Sequence, residues 1–263
     1  MIALSPFTIA KRYLMSLQRN FVVYRKVWLT NALPNIMLPF FLFVSFGLGL
    51  NFLVGKFFYH GIEVSYVHYI APAMISINVV FNAFFESTYS SYVRMDRQKT
   101  FDAMMATPLT MTEIMTGEIL WGATKALIAT AIMQAVISLF GLIQYPEGFL
   151  ILPLAFLGGI AFSAFGLFFT GTLPTFEMVN LPVCLIVCPM CAVSGTFFPL
   201  QHMAPWLQWI AEALPLTHLV KITRAFSFGV MDAELWWSGA YLLVFCAIFF
   251  PLAVYVMRRR IMK

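Results

Sequence analysis

Residues 148–176 read GFLILPLAFLGGIAFSAFGLFFTGTLPTF and contain no aspartate, glutamate, lysine or arginine. A helix of about 20 apolar residues crosses the hydrocarbon core of a bilayer. Charge-free stretches of similar length also cover residues 27–55, 64–85, 126–146, 178–211 and 235–257. The sequence therefore predicts an all-α membrane protein with six transmembrane helices.

The composition agrees with this class. Hydrophobic residues make up 61% of the chain and charged residues 10%, whereas soluble domains carry about a quarter charged residues. The pieces between the apolar stretches are each too short to build a core of their own. We therefore expect a single membrane domain over residues 1–263, in contact with the lipid bilayer.

Charges, turn residues and a capping-box pattern at Thr110–Glu113, where the third span begins, set the expected boundaries. Spans are expected over 33–54, 67–92, 111–142, 149–170, 178–198 and 235–257, with an interfacial helix over 1–28, a short helix over 98–108 and an outer segment over 199–229. Pro199, Pro205 and Pro215 divide the outer segment into pieces too short to span. These pieces suit short re-entrant helices that dip into the outer membrane interface.

The N-terminal residues predict an amphipathic helix. Apolar side chains recur at alternating spacings of three and four, at Phe7, Ala10, Leu14, Leu17, Phe21, Tyr24 and Trp28. Basic residues that include Arg19 and Arg25 lie between them, on the expected wet side. Such a helix lies in the membrane surface with its apolar face down. The alternative is a basic flank that only orients the first span.

Lysine and arginine indicate the orientation. They cluster in 1–26, 94–99 and 258–263, which six spans place on one side, while the opposite loops hold only Lys56, Lys221 and Arg224. By the positive-inside rule the basic side is cytoplasmic. We expect a multi-pass protein of the bacterial inner membrane with both termini in the cytoplasm. The net charge of +5 needs no nucleic-acid partner, because these residues flank spans.

Residues 94–108, here called the island, hold five charged residues between two long apolar stretches. Thr100 can cap a short helix that Pro108 follows. Phe101, Met104 and Met105 share one face of that helix, and an exposed apolar face suits a partner's groove. The alternative is a solvated loop, as most charge runs are.

Charged residues also occur within the spans. Glu86 lies near the end of the second span, and Glu118 and Lys125 share a face of the third. Exposure of such groups to lipid costs several kcal/mol, so they should face protein or a wet cavity. A Glu86–Lys125 ion pair, with Glu118 nearby, is the simplest interpretation. The alternative is a proton or substrate site.

Other residues favour packing over chemistry. Ala155, Gly159 and Ser163 recur every four residues, which predicts close helix packing within the chain or against another subunit. Cys184, Cys188 and Cys191 share a helix face without a histidine or carboxylate, so we expect them to pack as small apolar residues rather than hold a metal. Residues 117–124 resemble a phosphate-binding loop but have Ala123 where the lysine belongs. No catalytic constellation is recognisable.

Together these features resemble the membrane subunit of ABC exporters of the ABC-2 type. The resemblance rests on the basic N-terminal helix, the six spans, RQKTFDAMMATPL at 97–109 with Gly117-Glu118, and SGTFFPL at 194–200 followed by LPLTH at 214–218 and Arg224. Within that family, FESTY at 85–89, GEILWGATKA at 117–126 and the arginines at 258–260 look most like the permease of rhizobial nodulation-factor exporters. Those exporters move a lipo-chitooligosaccharide.

The resemblance implies a role for the island and a set of partners. A separate ABC ATPase, in two copies, would bind ATP and magnesium, so this chain would need no cofactor or metal. The island would be the coupling helix, with Thr100, Phe101, Asp102, Met104, Met105 and Pro108 as its contact residues. A second permease copy would complete a homodimer, and the second and fifth spans would line the path.

The resemblance also implies the cargo. It would be an amphiphile, lipid-linked, lipo-oligosaccharide or drug-like, moved from the cytoplasmic side across the inner membrane. The outer segment, with Phe198, Pro199, Pro215, His218 and Arg224, would cap the path.

Two other functions stay open on the residues alone. A membrane-embedded enzyme acting on lipid could use Glu86, His202 or His218. An ion-driven carrier would need titrating charges within the spans, and the chain has no detectable inverted repeat of the kind many carriers show.

Overall fold

A computed structural model describes residues 6–49, 55–59, 62–230 and 232–262. The helices are α1 (Pro6–Leu42), α2 (Tyr66–Asp96), α3 (Thr100–Met105), α4 (Met111–Leu139), α5 (Ile151–Thr172), α6 (Phe176–Val193), α7 (Pro205–Glu212), α8 (Pro215–Phe228) and α9 (Ala233–Ile261). Helices α2, α4, α5, α6 and α9 are long and apolar enough to cross a membrane.

The predicted loop after the first span contains an antiparallel hairpin. Strand β1 (Lys56–Tyr59) pairs with β2 (Ile62–Ser65), with Lys56 opposite Ser65. The sequence did not predict this element. The rest of the described chain is mostly helical, as predicted.

The helix ends differ from the predicted boundaries where local geometry decides them. Helix α6 ends at Val193 instead of 198, because Gly195 turns the chain with a left-handed φ of 68°. Helix α4 ends at Leu139 instead of 142, and Gly141 is left-handed in the same way. Helices α2 and α9 run further than predicted, to Asp96 and Ile261. Residues 50–54 of the predicted first span lie outside the described residues.

The interfacial helix and the first span form one element. Helix α1 is continuous from Pro6 to Leu42 except at Val27, whose φ of −129° and ψ of 25° mark a kink. It continues as a π-helical turn over Phe43–Leu48. Residues 1–5 of the predicted interfacial helix lie outside the described residues. The predicted break between the two helices is therefore a bend within one helix.

The centre of the bundle is a close contact between α4 and α5. A Cβ atom added to Gly159 would lie 2.8 Å from the Cα of Ala123, so the two backbones touch. Ser163 is buried and hydrogen-bonds to Ser87 of α2. The predicted small-residue face of α5 therefore packs within the chain. Helix α9 lies on α5, and α2 packs against both α4 and α5.

The connections separate into two ends of the bundle. The island lies at one end, where Arg260 of α9 donates to the carbonyl oxygens of Thr170, Leu173 and Pro174. We call this the island end. The hairpin, the turn after α4 and residues 194–230 meet at the opposite end, where Gln144 N–H donates to the carbonyl of Ser227 and the Tyr66 hydroxyl to that of Phe197.

Candidate functional site

The island is a tight turn followed by a short helix. Lys99 adopts the left-handed conformation, with φ 50° and ψ 30°, and α3 begins at the next residue. The predicted capping role of Thr100 is wrong, because Lys99 occupies the N-cap position and no side chain caps the helix. The capping box predicted at the start of α4 is confirmed, with Thr110 and Glu113 each bonding the other's backbone N–H.

The apolar face of α3 points into the bundle. Phe101 is 0% exposed and Met104 8% exposed. They join a hydrophobic cluster with residues of α4, α5 and α9, which include Met111, Ile114, Met115, Leu167, Ala253 and Met257. The prediction of an exposed Phe and Met docking face is therefore wrong. A helix of six residues is not stable alone, and its apolar side chains fix it to the bundle.

The island instead exposes a surface of small side chains to water. Asp102, Ala103, Ala106, Thr107 and Pro108 are exposed, and Met105 is half-buried. These side chains are short, so a partner could approach the helix backbone closely. Helix α3 thus has one face that packs against the spans and one face that is exposed.

A network of buried charges lies beside the island. Glu86 bonds Lys125 through one oxygen and Arg94 through the other, both at 2.8 Å. Arg94 reaches Glu118 at 2.7 Å with its other terminal nitrogen. The predicted Glu86–Lys125 pair is present, but Glu118 joins it through Arg94. Two carboxylates face two cations, which makes burial of all four tolerable.

Neutral donors complete the network. Glu118 accepts from the Asn20 amide at 2.8 Å and Ser91 at 3.1 Å, while Glu86 accepts from the Trp121 indole at 2.9 Å and Ser90 at 3.0 Å. The network therefore ties α1, α2 and α4 together. It is centred where α2 forms a π-helical turn over Glu86–Ser90, and such turns often occur at functional sites.

Sequence reasoning missed Arg94 and Asn20. Arg94 was read as part of the solvated island, although it follows Glu86 by eight residues, close to two helical turns, and so shares its face. Arg19 is also placed differently from the prediction. It is half-buried and donates to Asn20 and Thr100 instead of facing water.

The outer segment is anchored by Arg224. Its side chain donates to the backbone carbonyls of Tyr69 at 3.2 Å, Gly195 at 2.8 Å and Thr196 at 3.2 Å. The guanidinium also lies 3.6 Å from the centroid of the Tyr69 ring, within cation–π range. Pro205 and Pro215 occupy the first turns of α7 and α8, where proline is favoured.

His218 of α8 is buried against α9. Its Nε2 donates to the carbonyl of Glu212 at 2.9 Å, Nδ1 lies 3.1 Å from the Ser238 hydroxyl, and the ring stacks on Tyr241. Burial lowers the pKa of His218, so the imidazole is neutral at pH 7. Burial alone would lower the pKa of Lys221 too, but ion pairs with Glu212 and Glu234 at 2.6 Å raise it.

The remaining candidate residues do not converge. His218 lies at the opposite end from Glu86, and His202 is exposed in a 3-10 turn over Leu200–His202. Phe198 is exposed and Pro199 half-buried. Cys191 is buried, whereas Cys184 and Cys188 are exposed, so the predicted packing occurs within the chain for Cys191 but not for the other two.

The chain matches a family described as ABC-2 type transporter over residues 11–228. Nodulation protein J of Rhizobium leguminosarum bv. viciae is 30% identical over 246 residues, covering 94% of this chain and 93% of that protein. Nodulation protein J of Rhizobium meliloti (strain 1021) is 28% identical over 245 residues, covering 93% and 92%. The inner membrane transport permease YadH of Escherichia coli (strain K12) is 22% identical over 227 residues, covering 86% and 87%.

The matched residues include the island, the whole charge network and both short helices of the outer segment. Long apolar helices surround these parts, as a membrane domain requires. This chain is therefore an integral membrane protein that belongs to the ABC-2 type transporter family.

Proposed function

We propose that this chain is the permease subunit of an ATP-driven exporter in the bacterial inner membrane. A separate ABC ATPase docks on the exposed face of the island, which lies in the cytoplasm with both termini. That ATPase binds the ATP and magnesium. Membership of the ABC-2 type transporter family and similarity to a transport permease support the class.

The two faces of α3 carry the proposal. Phe101 and Met104 fix the helix to α4, α5 and α9, while Asp102 and Ala103 face water. A force applied to the exposed face is passed to three spans at once, because the buried face cannot move without them. This is the mechanical property that a coupling helix needs.

We propose an amphiphile of the lipo-oligosaccharide kind as cargo. The similarity to Nodulation protein J extends over nearly the whole chain and supports this choice over a drug-like molecule. Many large apolar side chains are exposed on the spans, which suits a lipid-bearing molecule better than an ion, whose path calls for polar rings.

The docking role is tested with Ala103→Arg and Asp102→Arg. Both residues are exposed, so folding should be unaffected, whereas substitutions at Phe101 would disturb the core. We expect either variant to lose co-purification with the ATPase and stimulation of its activity. Glu177→Arg is the control, because it makes the same charge change as Asp102→Arg at an exposed residue of the same end. Normal ATPase stimulation by Ala103→Arg would rule out docking at this face.

We also propose that two copies pair, with α6 near the contact. Leu181, Cys184, Leu185 and Cys188 form an exposed apolar face on that helix, and Leu185 is 71% exposed. Helix α2, by contrast, is buried over residues 69–80 and then leaves Phe81, Phe85 and Tyr89 partly uncovered along a stripe. A bifunctional thiol reagent should link two chains through Cys184 or Cys188. The link should disappear in Cys184→Ser/Cys188→Ser and persist in Cys246→Ser.

A further inference from the structure

A cleft of about 220 Å³ lies between the first part of α1 and the π-helical turn of α2. Its floor contains Arg94, Trp121 and Lys125, and its α1 wall contains Arg19, Val23 and Tyr24. It opens beside the charge network at the island end. Neither the pairing of the network nor the docking face of the island explains why a cavity is present here.

The cleft carries one positive charge in excess. Arg19, Arg94 and Lys125 line it, and only two carboxylates, Glu86 and Glu118, pair with them. Within the described part of the chain, Arg19 forms no ion pair. Among the described residues, it donates to the neutral oxygens of Asn20 at 3.2 Å and Thr100 at 3.5 Å.

The cations of the cleft have unused donors. The Nε of Arg94 is buried and has no hydrogen-bond partner. Burial lowers the pKa of Arg19, because its guanidinium has lost part of its hydration, and the charge of Glu118, which is bonded to Arg94, offsets this only in part. Guanidinium groups in this situation bind oxyanions strongly, through paired N–H donors.

The rim of the cleft is apolar. Val23 is 54% exposed at the mouth, and Val27 also lines the opening. Phe21, Trp28 and Leu29 are also exposed on this part of α1. A small hydrophilic anion would leave these side chains uncovered. A molecule with an anionic head and an apolar chain would satisfy both the floor and the rim.

We propose that this cleft binds the phosphate or sulfate head of an amphiphile, with Arg19 as the contacting cation and the apolar chain leaving past Val23. The tail of the ligand then lies along α1. This binding does not depend on the exporter function, so its failure would leave that proposal standing.

The charge requirement is tested with the purified chain in neutral maltoside micelles. Dodecyl phosphate is added, and native mass spectrometry counts the molecules bound. We expect one bound molecule per chain and about tenfold weaker binding in Arg19→Gln, the effect of losing one charge-assisted contact. Arg25→Gln is the matched control, because Arg25 is exposed on the same helix and does not line the cleft. Equal weakening in the two variants would mean general surface attraction and would overturn the site.

The shape requirement has its own pair of variants. Val23→Trp should fill the mouth and weaken binding without changing any charge, whereas Val22→Trp, at a neighbouring residue that is 58% exposed and not in the cleft, should have no effect. Inorganic phosphate at the same concentration should not displace dodecyl phosphate. Efficient displacement would identify a site for free phosphate and overturn the amphiphile.

Discussion

Buried cations are held in different ways at the two ends of the bundle. At the island end, Arg94 and Lys125 bond carboxylates that come from α2 and α4. At the opposite end, Arg224 bonds the carbonyl oxygens of Tyr69, Gly195 and Thr196. The first arrangement joins side chains and depends on charge balance. The second shapes a backbone turn and depends on the geometry of the guanidinium.

The largest effect is expected from Glu86→Gln. This change leaves Lys125 and Arg94 short of one negative charge, and breaking a buried ion pair by removing one partner costs about 3–5 kcal/mol. Thermal unfolding of the purified protein measures the loss. The double variant Glu86→Gln/Lys125→Met should recover most of it, because charge balance returns. A loss no larger than that of the exposed control Glu177→Gln would show that charge balance is unimportant.

Arg224→Lys tests the cation at the opposite end, which bonds backbone carbonyl oxygens. The charge is kept, but the fork of donors and the stacking on Tyr69 are lost, at a cost of about 2–3 kcal/mol for charged hydrogen bonds. Hydrogen exchange at residues 194–197 should speed up, while exchange at the island should not change. Wild-type protection in this turn would mean that a positive charge suffices there.

The α4–α5 contact joins the two ends, and Gly159→Ala tests it. The added methyl group meets the backbone of Ala123 at 2.8 Å, so overpacking should cost about 1–3 kcal/mol and lower the melting temperature. The control is Gly239→Ala in α9, where nothing lies within 4 Å of the new atom. Equal melting temperatures for the two variants would contradict the close approach.

The smallest effect concerns pH at the opposite end. The pKa of His218 is lowered from 6.5 by burial, so the unfolded chain binds more protons than the folded one. Stability of α7 and α8 should therefore fall as the pH drops below about 6.5. Limited proteolysis at pH 7.5 and 5.5 measures it. His218→Gln should remove the difference, although Glu212, Lys221 and Glu234 lie nearby and supply a small background.

The sequence was sufficient for features set by local composition. Charge-free length predicted the five described helices that are long and apolar enough to cross a membrane. The Thr110–Glu113 spacing predicted a cap that the structure contains. Opposite charges on neighbouring spans predicted the Glu86–Lys125 pair. Each of these depends on nearby residues or on the cost of an isolated charge in lipid.

Features that depend on distant packing were not predictable. The sequence correctly predicted which residues form the apolar face of α3. The burial of that face, however, depends on Met257 of α9, which lies far along the chain. Arg94 was assigned to water because a charge at the end of a span is ordinarily solvated. The length of α6 was misjudged because Gly195, which turns the chain, lies within an apolar run.

The π-helical turn at Glu86–Ser90 has a consequence for insertions and deletions. A single π turn amounts to one residue inserted into an α-helix. Deleting one residue there would convert the turn into regular α-helix and leave the rotation of all that follows in α2 nearly unchanged, because seven α-helical residues return to within about 20° of the starting direction. Arg94 would then still face Glu86 and Glu118. Among related sequences, a one-residue gap at positions 86–90 should therefore be compatible with keeping these charges.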